Sequence, residues 1–132
     1  MQQFEVLTRS RVEMIDITEQ VQAAVRRENV SSGICTVSCL HTTAAIMVQE
    51  NADPDVQEDV MDELTRLIPF DGRYRHTEGN SAAHIKSGLV GQSKSFIVRD
   101  GQLVLGRWQG IFFCEFDGPR PRNVVVQAIG QE

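Results

Sequence analysis

The stretch SFIVRDGQLVL, residues 95–105, decides the fold class. Apolar residues flank Asp100-Gly101 on both sides, and this dipeptide favours the two-residue type I′ turn of a β-hairpin. The pattern therefore predicts antiparallel strands at residues 95–99 and 102–105. A chain that combines such a hairpin with helices belongs to a class with antiparallel sheets.

Further strands are predicted on both sides of the hairpin, at residues 4–7, 12–15, 34–40, 44–49, 111–116 and 123–129. Two amphipathic helices are predicted between them, at residues 18–29 and 54–68. Asp53 as N-cap and Pro54 as the first helical residue begin the second helix. Periodicity disappears over residues 69–92, which predicts a long irregular loop of functional character. The order favours an α+β fold with antiparallel sheets packed on each other or on helices.

Composition indicates a single globular domain over residues 1–132. The chain is 41% apolar and 23% charged, and its net charge of −5 argues against binding to nucleic-acid phosphates. The longest apolar run, residues 44–48, is too short to cross a membrane. Residues 1–5 lack the basic and apolar regions of a secretion signal. We therefore expect a cytoplasmic protein with no nucleic-acid or membrane partner.

The three cysteines do not predict a disulfide framework. Cys35 and Cys39 fall on one predicted strand, about 13 Å apart, whereas a disulfide needs Cα atoms within about 7 Å. An odd count without a secretion signal fits a reducing compartment. A Cys39–His41 nucleophile is conceivable, but burial on an apolar strand face would disfavour the Cys39 thiolate.

All three histidines fall outside the predicted helices and strands. His41 follows a strand, and His76 and His84 lie in the long loop. Neutral imidazole suits Zn, Cu, Ni or Fe, and three histidines with a water form a recurring catalytic zinc shell. The spacing matches no standard metal motif, so structural or surface histidines are the alternative.

Other polar residues near these histidines favour chemistry on an anion. Glu50, Glu78 and Asn80 could orient ligands or transfer protons, although both glutamates could equally be solvated. Most of the 13 cations are arginine, which binds carboxylates and phosphates bidentately. Arginines in the loop and beside the turn at residues 117–119 could form an anion clamp, with surface arginine as the alternative. The predicted anion-binding residues are Arg75, Lys86, Arg120 and Arg122.

The motifs resemble those of the YjbQ family over nearly the whole chain. They are HTTAA at residues 41–45, ENAD at 50–53, YRH at 74–76, EGN at 78–80, AHIK at 83–86, LG at 105–106, WQ at 108–109 and EFDGPR at 115–120. The resemblance implies a small α+β protein, a β-sandwich of two mainly antiparallel sheets with two helices, that assembles into a homotrimer. It also implies a metal or ligand site at His41, His76 and His84. Some members are described as having weak thiamine-phosphate synthase activity.

Two functions of different classes are open. The first is an enzyme in which a divalent metal, zinc being the first choice, acts with the three histidines on a small phosphorylated or otherwise anionic substrate. Its reaction would be a thiamine-phosphate synthase-like transfer or a metal-dependent hydrolysis. The second is a non-catalytic module that binds a metal or another ligand.

The predicted strand at residues 111–116 supplies a reason for association. It is apolar on both faces, and such strands need cover on both. A neighbouring subunit of the homotrimer could provide one layer. A two-sheet sandwich that covers both faces within the chain is the alternative.

Overall fold

The structure is a computed structural model that describes residues 1–131. These residues form three helices and eight strands joined by turns and loops. The elements are, in chain order, β1 (Gln2–Leu7), β2 (Glu13–Asp16), α1 (Thr18–Glu28), β3 (Gly33–Cys39), β4 (Ala44–Glu50), α2 (Pro54–Leu67), α3 (Ser81–Val90), β5 (Ser93–Arg99), β6 (Gln102–Leu103), β7 (Gln109–Glu115) and β8 (Pro121–Gly130). No helix within the described residues combines the length and the apolar character needed to cross a membrane.

The strands form two antiparallel sheets that share a core. The larger sheet has the order β1-β8-β3-β5-β6, and the smaller has the order β2-β7-β4. The predicted hairpin is confirmed, because Asp100 and Gly101 have φ angles of 54° and 73°, and a type I′ turn needs both to be positive. β5 and β6 pair on either side of that turn, with Arg99 opposite Gln102. The predicted α+β class with two antiparallel sheets is confirmed.

Buried side chains lie on both faces of the smaller sheet. Between the two sheets, α1 and both sheets contribute to one cluster that includes Val25, Val37 and Ile46. On the other face of the smaller sheet, α2 and α3 cover a second cluster that includes Phe112 and Ala83. The layers are therefore the larger sheet with α1, the smaller sheet, and the pair of helices α2 and α3.

β7 is apolar on both faces, and the chain itself covers both. Ile111 and Phe113 belong to the cluster between the sheets, whereas Phe112 and Cys114 belong to the cluster beneath α2 and α3. All four side chains are at most 1% exposed. The expectation that this strand needs a neighbouring subunit is therefore wrong, and the alternative of a sandwich that covers both faces is correct.

α2 begins as predicted. The Asp53 side chain caps the helix by accepting a 3.0 Å hydrogen bond from the backbone N–H of Asp55, and Pro54 is the first helical residue. The N-cap role of Asp53 is thus confirmed. The predicted apolar face of α2 is only partly covered, since Leu67 is 59% exposed.

The predicted irregular loop over residues 69–92 is wrong in its second half, which forms α3. The large apolar residues Ile85 and Leu89 are exposed, and no stripe of large apolar side chains marks the buried face. The 3.6-residue period therefore fails to show in the sequence. The predicted two helices become three, and His84 lies in a helix rather than a loop. The buried residues of α3 are Ser81, Ala82, Ala83, Lys86 and Ser87.

Candidate functional site

His76 and His84 meet at the N-terminus of α3. His76 lies in the segment that leads into the helix, and His84 lies in its first turn. Their rings stand edge to face, with centroids 5.5 Å apart and an angle of 87° between the ring planes. The structure thus brings together two of the three predicted metal ligands.

His41 lies just after β3 and has a different set of neighbours. Its Nε2 accepts a 2.7 Å hydrogen bond from the backbone N–H of Asn123. Burial and the nearby Arg122 guanidinium both lower the pKa of His41, because both disfavour a charged ring. Within residues 1–131, no three His, Cys, Asp or Glu side chains are grouped so that they could hold a metal ion. The residues of a single chain do not fit a three-histidine zinc shell, and zinc binding stays a prediction.

A chain of polar contacts runs from His76 to the turn after β7. His76 Nε2 lies 3.0 Å from Asn80 Oδ1, and Asn80 Nδ2 donates to Asp117 Oδ2 at 3.0 Å. Arg120 Nη2 donates to the same Asp117 oxygen at 3.1 Å. Glu78 Oε2 is 3.6 Å from His76 Nε2. Three predicted site residues, Glu78, Asn80 and Arg120, are therefore connected to His76.

An open cavity of about 480 Å³ lies beside the two histidines. Its volume is in the range of small-molecule sites. Ser81 is 8% exposed, and its Oγ is buried without a hydrogen-bond partner among residues 1–131. The lining residues are Arg73, Tyr74, Arg75, His76, Ser81, His84 and Ile85.

The cavity carries positive charge although the chain as a whole is acidic. Arg73 and Arg75 are exposed, and no carboxylate of the described residues lies within 4 Å of either guanidinium. Asn80 occupies the N-cap position of α3, but its side chain makes no capping hydrogen bond. The first-turn amides of α3 therefore lack a side-chain cap, and the positive end of the helix dipole lies at Ser81.

Arg122, predicted to bind an anion, has its partner inside the protein. Its guanidinium pairs with Glu115, and its Nη2 donates to Thr43 Oγ1 at 2.9 Å. Thr8 Oγ1 donates to Glu115 Oε1 at 2.7 Å. Burial acts to raise the pKa of Glu115, but hydrogen bonds from Arg122 and Thr8 outweigh it and hold this pKa below its usual range. With its charge already matched, Arg122 is not assigned to the cavity, and its anion-binding role stays a prediction.

Lys86 is buried beneath aromatic rings and does not line the cavity. Its Nζ lies 4.7 Å from the centroid of the Phe70 ring and 6.0 Å from that of Phe116. Burial lowers the pKa of Lys86, and the nearby charge of Arg11 lowers it further. Contact of Lys86 with an anion therefore stays a prediction that the cavity geometry does not support.

Glu50 ends β4, opposite Gln109. Its Oε2 is buried and has no hydrogen-bond partner among the described residues. No hydrogen bond joins Glu50 to His76 or His84, and it does not line the cavity. Its catalytic role stays a prediction, and Glu50 does not contact the histidine pair through a hydrogen bond or through the cavity.

The cysteines are free and buried. Burial raises the pKa of Cys39 to about 11. The same effect raises the pKa of Cys35 to about 11 and that of Cys114 to about 12. A thiol with such a pKa is almost entirely protonated at neutral pH, which supports the expectation that Cys39 is a poor nucleophile.

Sequence reasoning does not single out Ser81 or Asp117, which the structure places in the cavity and in the contact chain. The signal for Ser81 is the Gly79-Asn80-Ser81 run, in which Asn80 can begin a helix. Asp117 lies within the EFDGPR motif, but its partner Asn80 is distant in the chain. Only the tertiary fold shows that the two residues touch.

Two packed antiparallel sheets, with a histidine pair at a helix N-terminus beside the smaller sheet, define a class of small α+β protein. A family model described as UPF0047 protein YjbQ-like matches residues 2–131. The chain belongs to the YjbQ/UPF0047 family, as its motifs indicate.

Relatives from distant organisms match almost the whole chain. UPF0047 protein MJ1081 of Methanocaldococcus jannaschii is 47% identical over 129 residues, which cover 98% of this chain and 94% of that protein. UPF0047 protein YugU of Bacillus subtilis is 47% identical over 127 residues, 96% of each chain.

Solved structures share the fold. A YjbQ/UPF0047 family protein of Clostridium acetobutylicum is 48% identical, with a TM-score of 0.96 over 98% of this chain and 100% of that one. A YbjQ-like protein of unknown function from Sulfolobus solfataricus is 32% identical, with a TM-score of 0.94 over 98% of this chain and 96% of that one. The arrangement of sheets and helices is therefore that of the family.

Proposed function

We propose that the protein binds a small anionic ligand, a phosphate or a carboxylate, in the cavity beside His76 and His84. The observation that carries the proposal is Ser81, a residue that lines the cavity and whose buried Oγ has no hydrogen-bond partner among residues 1–131. Leaving a buried polar group without a partner costs about 1–3 kcal/mol. A ligand oxygen that accepts its hydrogen bond would remove that cost.

The N-terminus of α3 supports the same ligand. Anions bind at helix N-termini, where uncapped amides and the helix dipole present positive charge. α3 has ten residues, and the side chain of its N-cap residue Asn80 bonds His76 and Asp117 instead of capping the helix. The backbone N–H groups of Ala83 and His84 donate to the Asn80 carbonyl oxygen at 3.1 and 3.3 Å, and those of Ser81 and Ala82, which have no such partner among the described residues, are left for another acceptor.

Arg73 and Arg75 supply the charge that would favour an anion. Among the described residues that line the cavity, only these two are charged at all physiological pH values. Arginine forks bind carboxylate and phosphate oxygens bidentately. Binding without turnover is the simplest function these groups support. Metal-dependent transfer or hydrolysis of a phosphorylated substrate stays a prediction.

Calorimetric titration with inorganic phosphate and pyrophosphate tests this proposal. Ser81→Ala should weaken binding by about fivefold or more, because it removes a hydrogen-bond donor to a charged group. Arg75→Lys should also weaken binding, since lysine loses the fork. Arg27→Lys, an exposed position on α1, is the matched control. If Ser81→Ala and Arg75→Lys bind both anions as the unmodified protein does, the cavity is not the site.

A homotrimer is proposed as the assembled form, and its symmetry comes from the family resemblance. Ile34, Ile97 and Ile129 form an exposed row on the outer face of the larger sheet, 57%, 58% and 70% exposed. Ile34 lies opposite both of the others in the strand register. The groove of about 660 Å³ along this row has Arg99 as its one charged lining residue within the described chain. Exposed apolar rows of this kind mark interaction surfaces.

Sedimentation equilibrium tests the assembly. The expected mass is three times the 14.8 kDa of one chain. Ile34→Lys should shift the protein towards monomer, because a charge in the middle of the row would be desolvated at the interface. Leu67→Lys, an exposed position at the end of α2, should leave the mass unchanged. A monomer mass for the unmodified protein at micromolar concentration would refute the trimer.

A further inference from the structure

The contacts of Asn80 fix which way its side-chain amide points. Asp117 is paired with Arg120 and, as a carboxylate, can only accept hydrogen bonds. The group of Asn80 that faces Asp117 Oδ2 at 3.0 Å must therefore be the NH₂ group. The amide oxygen is consequently turned towards His76.

The amide oxygen of Asn80 in turn fixes the proton on His76. An amide oxygen only accepts, and it lies 3.0 Å from His76 Nε2. Glu78 Oε2, another acceptor, lies 3.6 Å from the same nitrogen. Nε2 is therefore the protonated nitrogen of the neutral ring. Nδ1 is left as a bare acceptor with no hydrogen-bond partner among the described residues.

His41 shows the opposite arrangement. Its Nε2 accepts a hydrogen bond from the backbone N–H of Asn123, so the proton of the neutral His41 ring is on Nδ1. The two histidines are thus set in different tautomers by their neighbours. His41 provides an internal reference for any measurement on His76.

We infer that His76, which lines the cavity, presents Nδ1 to the ligand, and that with the His76 ring neutral the cavity selects anions that carry a hydrogen, because Nδ1 of the neutral ring can only accept a hydrogen bond. The inference rests on the proposed anion site and names its ligand class: hydrogen phosphate, or an anion with a hydroxyl group beside its charge. An anion with bare oxygens alone would place a lone pair against Nδ1. Asn80, Asp117 and Arg120 act as positioning residues that hold His76 in this tautomer.

Phosphate and sulfate separate this inference from the proposed function. At about pH 8.5, about two units above the ordinary pKa of histidine, phosphate is a dianion with one proton and sulfate is a dianion with none. The two have nearly the same size. Calorimetry should show phosphate bound about fivefold more tightly than sulfate, the expected effect of one hydrogen bond to a neutral acceptor. His76→Phe should abolish the difference.

Equal binding of the two anions, or preference for sulfate, overturns the inference while leaving the anion site intact. Binding of neither anion overturns the proposed function and this ligand class together. Retention of the phosphate preference in His76→Phe also overturns the inference, since the discriminating group would lie elsewhere.

Tautomers can be read independently from the ¹⁵N chemical shifts of the histidine rings at the same pH. His76 should show a protonated Nε2, and His41 a protonated Nδ1. Asp117→Asn should move His76 towards a mixture of tautomers and reduce the phosphate preference, because a side-chain amide at position 117 can donate as well as accept and no longer dictates the orientation of the Asn80 amide. Asp100→Asn, in the exposed hairpin turn, is the matched control. A His76 spectrum that Asp117→Asn leaves unchanged overturns the positioning role.

Discussion

Two regions of the molecule hold arginine in opposite ways. Arg122 is 2% exposed and is matched by Glu115, with Thr8 and Thr43 completing the hydrogen bonds. The cavity arginines Arg73 and Arg75 are exposed, with no carboxylate of residues 1–131 within 4 Å of either. The first arrangement makes the charge part of the fold. The second leaves the charge exposed to solvent, so the same residue type has a counter-charge inside the protein in one region and would meet one only in the proposed anion in the other.

The largest expected effect comes from breaking the buried pair. Glu115→Gln leaves the Arg122 charge buried without a counter-charge, and the free energy of unfolding should fall by about 3–5 kcal/mol. Urea denaturation followed by circular dichroism measures the loss. Replacing both partners, as in Glu115→Leu with Arg122→Met, should cost less than Glu115→Gln alone. A loss below about 1 kcal/mol for Glu115→Gln would show that the pair is not a structural element.

Lowering the pH should remove the stability that Glu115 provides relative to the Glu115→Gln variant. Because the pKa of Glu115 is lowered in the folded state, its contribution to stability is complete above the unfolded value of about 4.3 and is lost as pH falls through the folded value. The gap in unfolding free energy between the unmodified protein and Glu115→Gln should therefore shrink below about pH 4.3. Urea titrations at a series of pH values measure the gap. A gap that stays constant down to acid unfolding would contradict this assignment.

Replacing the cavity arginines should have the reverse effect, lowering the affinity for phosphate without changing the free energy of unfolding. Arg73→Gln combined with Arg75→Gln should weaken phosphate binding about tenfold or more, since each charge-assisted hydrogen bond is worth about 1.5–3 kcal/mol. The free energy of unfolding should stay within about 0.5 kcal/mol, because both side chains are exposed. Calorimetry and urea denaturation on the same preparation test both statements. A large loss of stability with unchanged affinity would reverse the comparison.

An exposed ion pair provides the smallest effect and the matched control. Arg66 and Glu63 pair on the surface of α2, with side chains 68% and 54% exposed. Glu63→Gln makes the same chemical change as Glu115→Gln but in water, where screening removes most of the interaction. No measurable change in urea midpoint is expected. A change as large as that of Glu115→Gln would mean that burial is not what distinguishes the two pairs.

The hairpin, the strand positions and the start of α2 can be predicted from sequence because their signals are local. Asp100-Gly101 forms a turn because of its own backbone preferences, and Asp53 caps α2 by accepting a hydrogen bond from the N–H of a residue only two positions further along the chain. The sequence does not predict α3, because the buried residues of this helix are small or polar and its large apolar residues are exposed. The period on which helix prediction relies is therefore missing.

In the candidate site, too, some features can be predicted from sequence and others depend on the tertiary fold. His76 and His84 are found by residue type, but their separation from His41 is a property of the folded chain. Arg122 is predicted to face a ligand because it follows Arg120 at an alternate position. In the fold its guanidinium forms an ion pair with Glu115 instead. Residue type therefore identifies the candidates, and long-range packing decides which of them share a site.

The small inner face of α3 lets this helix lie close to the sheet. Ala83 packs in the same cluster as Ala45 of β4, and Ser87 Oγ donates to the backbone oxygen of Ala44 at 2.6 Å. The spacing of helix and sheet is thus set by residues that do not line the cavity, whereas Ser81 and His84 at its rim move with the helix. A displacement of α3 about its contact at Ser87 would therefore move one wall of the cavity. A larger side chain at position 83 would shift α3 and so change the shape of the cavity, although no residue that lines the cavity is replaced.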